Sequence, residues 1–170
     1  MSKAIIISAL AAIAQARFGQ EQVPCPAIQG LGAFGDPGAA GTLAGQCPGV
    51  LLAGANACAK LQLADDIITQ LGNDPEVVAA AQGLVGAEKN FNPFAEAIPT
   101  ICNEAGLPAS AELQGIVPLV DPDVEGSDVQ NANAAASLAN PLDAGGASVA
   151  DLTSKLPFPP VRQWHVLTRP

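Results

Sequence analysis

The stretch VLLAGANACAKLQLADDIITQLGNDPEVVAAAQGLVGAEK, residues 50–89, decides the fold. Val50, Gly54, Ala57, Leu61, Ala64, Ile68 and Leu71 recur at alternating steps of four and three, the spacing of one helix face. Lys60, Gln62, Asp65, Asp66, Thr69 and Gln70 take the other side. Gly72 is a stop signal, because glycine readily takes the left-handed conformation that ends helices. Asp74-Pro75-Glu76 then restarts a helix, with aspartate as N-cap, proline at the first helical position and an acid in the first turn. Val77, Val78, Ala81, Leu84 and Val85 form its apolar face, and it should end near Lys89.

Towards the C-terminus the same punctuation continues. Asn92-Pro93 repeats the cap-then-proline signal for a third helix, which Pro99 must kink or restart for want of an N–H. Gly106-Leu107-Pro108 breaks the chain again, and Ala109 to Ile116 should make a short fourth helix. Residues 50–120 are therefore expected to be a helical domain. The fold class is all-α: a small bundle of four or five short helices stapled by two disulfides, with an irregular N-terminal loop and C-terminal arm. Residues 121–154 turn to Asp, Asn, Ser, Gly and Ala and read as an acidic irregular segment. Residues 155–170 contain Lys155, Arg162 and Arg169 with no acid, plus the chain's one Trp and one His. This basic tail either docks on an acidic body or is an appendage unrelated to the fold, and the second reading is preferred.

Towards the N-terminus, residues 17–49 are dense in Gly, Pro and Ala. Gly30, Gly32, Gly35, Gly38, Gly41 and Gly45 make regular structure costly there, so a disulfide-anchored loop is expected. Residues 1–16 have the three parts of a secretory signal peptide: Lys3, an uncharged apolar run from Ala4 to Ile13, and Ala14-Gln15-Ala16 as a cleavage site after Ala16. That run is shorter than the roughly 20 apolar residues that span a bilayer. The protein is thus expected to be secreted, either extracellular or in a cell wall.

Export makes sense of Cys25, Cys47, Cys58 and Cys102, an even set that reads as two bridges in an oxidising compartment. Three pairings are open, and the expected one has Cys25–Cys47 closing the N-terminal loop and Cys58–Cys102 clamping two helices. A zinc site does not fit, since no CxxC pair exists and His165 is the only histidine. Five Phe, one Trp and no Tyr make a core poor in large rings, so the bridges matter more.

Sixteen acidic and seven basic residues give a net charge of −9. Such a surface repels phosphate, which argues against nucleic acid and anionic membranes as partners. Solubility is the plain reading of the acidity. A sharper one is a cationic partner, such as a basic wall polymer or a host or cell-surface component. No Asn-x-Ser/Thr sequon occurs, and no hydrophobic C-terminal tail suggests a lipid or transmembrane anchor.

Candidate chemistry is sparse. Gly30-Leu31-Gly32-Ala33-Phe34-Gly35 matches GxGxxG but lacks the flanking strand, helix and acid that dinucleotide binding requires. Asp121, Asp123 and Glu125, with Gly126 after them, resemble the start of a calcium loop, although Ala132 stands where the bidentate Glu belongs. They define a weak calcium candidate against the plainer reading of a hydrated acidic turn. Nucleophilic catalysis lacks its parts, and Asp65 and Asp66 diverge as helix neighbours. A hydrolase is the residual enzymatic reading, and no catalytic residue or cofactor is expected.

Leu113-Gln114-Gly115-Ile116-Val117-Pro118-Leu119-Val120-Asp121-Pro122, with the sparse cysteines and the Ala/Gly/Pro richness, resembles small secreted or cell-wall proteins of filamentous fungi. The resemblance implies service at spore or hyphal surfaces or towards a host, and it transfers no functional residue. The expected function is that of a non-enzymatic extracellular or cell-surface structural or interaction protein. The alternatives are a carrier of a lipid or other small apolar molecule and a weak calcium-binding module. An enclosed apolar cavity of about 300 Å³ or more would favour the carrier.

Overall fold

The computed structural model describes residues 19–156, apart from 95 and 97. Among them every regular element is helical: α1 (Cys25–Gln29), α2 (Ala39–Leu51), α3 (Ala59–Leu71), α4 (Pro75–Gly86), α5 (Ser127–Ala139) and α6 (Val149–Lys155), with 3₁₀ turns at Gln20–Gln22 and Ala111–Leu113. The signal peptide read over residues 1–16, and the tail beyond Leu156, lie outside the described residues.

Helices α2, α3 and α4 pack in sequence order, with α1 against α2 and α4. Leu43, Leu51, Leu61, Ile67, Val77, Leu84 and Val85 fill the space between them. A smaller cluster of Val117, Ala134 and Leu152 lies under α5 and α6. The Asp74 cap forms as its sequence implies, Oδ1 accepting from the Glu76 N–H at 3.0 Å. Both bridges are the expected ones, with Cα atoms 5.7 Å apart at Cys25–Cys47 and 4.7 Å apart at Cys58–Cys102. The first ties α1 to α2. The second ties the start of α3 to a non-helical segment, so it does not clamp two helices.

Several local expectations are corrected. The stretch read as a loop, residues 17–49, holds α1 and most of α2. Ala40, Leu43, Ala44, Cys47 and Leu51 are buried at helical spacing, while Gly41, Gly45 and Gly49 face solvent. Packing of that stripe outweighs a glycine penalty of about 1 kcal/mol per residue. The apolar run from Val50 is not one helix: it breaks after Leu51, and α3 begins at Ala59, preceded by an Asn56 Oδ1 bond from the Cys58 N–H at 2.7 Å.

Asn92-Pro93 makes a turn, with the Phe94 N–H on Asn92 Oδ1 and the Glu96 N–H on the Asn92 carbonyl, both at 3.0 Å. The expected fourth helix shrinks to a 3₁₀ turn. Asp65 takes the Ala109 and Ser110 N–H groups, each at 2.8 Å, and Gly115 turns the chain at φ +81°. Residues 121–154, read as irregular, contain α5 and the greater part of α6. Ser127, Gln130, Ala134 and Ser137 form the buried stripe of α5, a helical pattern drawn in polar and small residues. A reading based on apolar periodicity passes over it.

Gly115 has a specific reason to be glycine. A Cβ there would collide with the Leu142 carbonyl oxygen, and its own carbonyl accepts from the Leu142 N–H at 3.0 Å. Gly115→Ala should lower stability by about 2–4 kcal/mol through strain and clash. Chemical denaturation measures it, and a loss under about 0.5 kcal/mol, the range of neutral surface changes, would contradict the cramped geometry.

Candidate functional site

Residues 116–121 form a non-helical strap between α4 and α5, and side chains of α5 hold its backbone. Gln130 Nε2 donates to the Pro118 carbonyl at 2.7 Å. Asn131 brackets Val120, accepting from its N–H at 2.8 Å and donating to its carbonyl at 3.0 Å. Ser137 Oγ accepts from the Val117 N–H at 3.1 Å, and the Leu119 N–H donates to the Gly86 carbonyl at 2.9 Å. The polar stripe of α5 therefore satisfies backbone groups that burial would otherwise leave unpaired.

This strap forms one wall of a groove of about 290 Å³, completed by Gln20, Val23 and Pro24 from the N-terminal turn, Gly83 and Gly86 from α4, and Leu138 from α5. Val23 (67% exposed), Leu119 (41%) and Leu138 (44%) are three of the large apolar side chains left in solvent. Sequence periodicity could not find this site, since its lining comes from four separated segments. The volume is near the lower end for ligand sites, but the apolar residues sit at the surface and the site is not a sealed chamber.

Glu88 also lines the groove, while its neighbour Lys89 turns inward, Nζ donating to the Ala53 carbonyl at 2.6 Å and to Thr100 Oγ1 at 3.3 Å. Burial lowers the pKa of Lys89, opposed by the charge of Glu96. Glu21, the chain neighbour of Gln20, accepts from Asn90 Nδ2 at 2.7 Å, and this bond holds its carboxyl below the usual range.

Lys60 departs furthest from expectation. Read as solvent-facing, it is 4% exposed, and its Nζ donates to the Val85 carbonyl at 2.8 Å and the Ala87 carbonyl at 2.6 Å. It closes the C-terminal end of α4, where carbonyls lack intrahelical partners and the helix dipole favours a cation. Desolvation first, and repulsion from Lys89 second, bring its pKa down to about 7. The space beside both lysines measures about 10 Å³, room for no more than about one water.

The weak calcium candidate is not assembled. Asp121 is buried, and its Oδ1 accepts from the Asp123 N–H at 2.9 Å, while Asp123 and Glu125 are exposed. Among the described residues no three His, Cys, Asp or Glu converge as a metal cage. Gly126, at φ +82°, instead serves as the N-cap of α5. No helix of the described residues is long and apolar enough to cross a membrane.

Fold and site together define a small all-helical protein held by two disulfides, with an open apolar groove on an acidic body. No family model, curated protein or solved structure matches the chain.

Proposed function

We propose that the protein is a non-enzymatic extracellular or cell-surface interaction protein whose acidic body engages a cationic partner. One observation carries this reading. The described residues hold all sixteen carboxylates and three lysines, a formal −13, and two of those lysines, Lys60 and Lys89, point their ammonium groups inward. Among the described residues Lys155 is then the one lysine left exposed, against all the carboxylates other than the buried Glu88 and Asp121. A field of one sign steers and holds a partner of the other, and the attraction weakens as salt screens it. The two disulfides are what an oxidising compartment permits, which supports export.

The test is retention on an immobilised cationic polysaccharide such as polyglucosamine, with a neutral polymer as control. Binding is expected at low salt and should be lost near 1 M, where the screening length falls to about 3 Å. Absence of binding at low salt would remove the cationic partner. Protein recovered from culture medium should begin at Arg17 and contain no free thiol, and an intact leader with reduced sulfurs would remove the compartment.

A second reading, carriage of a small apolar molecule, draws support from the groove. A lipid that co-purifies at one per chain and is displaced when the groove is altered would favour it.

A further inference from the structure

We infer that the groove between the N-terminal turn, α4 and α5 receives an apolar side chain presented by a basic polypeptide. This rests on the cationic-partner reading and says which class of partner it is. Of the five large apolar side chains exposed among the described residues (Val23, Leu52, Phe94, Leu119 and Leu138), three converge on this one groove. Such clustering, rimmed by polar groups, marks interaction sites, whereas single exposed apolar residues are ordinary.

Charge complementarity selects the occupant. Glu88, itself buried, lines the groove, the partly buried Glu21 adjoins the lining residue Gln20, and among the described residues no lysine or arginine lines it. Lys89, the basic residue nearest in sequence to that lining, has its ammonium bonded to Ala53 and Thr100. A second copy of this chain would bring the same negative surface and be repelled. A basic polysaccharide would satisfy the charge but has no apolar side chain for the groove. A basic peptide with an apolar anchor satisfies both, its apolar group desolvated in the groove and its charges facing the acidic body.

Three probes separate the cases: a lysine-rich peptide with one central tryptophan, the same peptide with glycine in its place, and oligolysine of equal charge. Each is titrated against the wild-type protein, the double variant Leu119→Ser/Leu138→Ser, and Leu52→Ser as an exposed control outside the groove. Loss of a central aromatic anchor typically costs about tenfold or more in affinity. The tryptophan peptide should therefore bind wild type and Leu52→Ser at least about tenfold tighter than the glycine peptide. The double variant should erase that preference while binding oligolysine as before, and an unchanged thermal melt keeps the comparison valid because both positions are exposed.

Equal binding of all three peptides by wild type overturns the groove while leaving the cationic partner standing. Failure of every basic probe at low salt removes the cationic partner itself. Growth in particle size with protein concentration, abolished by the double variant, would assign the groove to a second copy and overturn the inference.

Discussion

Replacing Lys60 with methionine should leave stability within about 1 kcal/mol of wild type near pH 6 and lower it by about 2–4 kcal/mol at pH 9. Methionine fills a similar volume, so the change isolates the amine. Two effects oppose each other. The substitution strands the Val85 and Ala87 carbonyls, each worth about 1–3 kcal/mol when buried without a donor. It also removes a cation whose burial is unfavourable, and that relief exists only where the amine is protonated.

The pKa of Lys60 is about 7 in the fold, against an ordinary value of 10.5 for an unburied lysine. Below pH 7 the amine is charged in both states, so its contribution to stability does not change with pH. Between pH 7 and about 10 the unfolded chain holds the proton and the folded chain does not. Wild-type stability therefore rises with pH through that window, by up to about 1.4 kcal/mol per unit. Lys89, also lowered by burial, contributes in the same direction. The neutral amine keeps two N–H donors for the two carbonyls, so the cap survives deprotonation. Urea denaturation of both proteins from pH 6 to pH 9 reads the effect, and parallel stability curves would refute it.

Reduction of the disulfides is the other large perturbation. The bridges close consecutive loops that do not overlap, with partners 22 and 44 positions apart. Constraint of the unfolded chain is then worth about 3 kcal/mol for Cys25–Cys47 and about 4 kcal/mol for Cys58–Cys102 in the loop-entropy model. The sum rivals the total stability of a typical domain, about 5–15 kcal/mol. Cys58–Cys102 has a local role as well. From Asn90 to Ser110 the described residues contain no helix, and Cys102 anchors that span to the start of α3. Its carbonyl also accepts from the Ala150 N–H at 2.9 Å, which joins α6 to the same anchor.

Cys58→Ser/Cys102→Ser should therefore cost more than Cys25→Ser/Cys47→Ser. Full reduction should bring the urea midpoint close to zero at room temperature. Denaturation with and without a thiol reductant tests both, and a midpoint that reductant leaves unmoved would mean that the helical core holds without its staples.

The helical class was legible because α3 and α4 declare themselves locally. An apolar stripe, a glycine stop and an Asp-Pro-Glu start need no information from the rest of the chain. Two other helices were hidden for opposite reasons. In α2 the stripe is apolar but its solvent side is glycine, which lowers intrinsic helix preference without touching the buried face. In α5 preference is adequate but the buried face is Ala134 with Ser127, Gln130 and Ser137, and these three polar side chains bond backbone groups of residues 117–122. The sequence pattern places Lys60 on the solvent side because its position falls one step away from the most apolar line on α3. The buried face also runs through Lys60, Ala64, Ile67 and Leu71.

The amino-acid order alone determined the class, the two central helices and, through an even count of cysteines, the expectation of two bridges. Each of these follows from interactions between near neighbours or from composition. Tertiary structure decided which polar groups are internal, where the chain straps itself between α4 and α5, and that Val23, Leu119 and Leu138 share one groove. Those facts depend on partners tens of residues away. A buried lysine or glutamine is tolerable only once a distant carbonyl is in place to receive it.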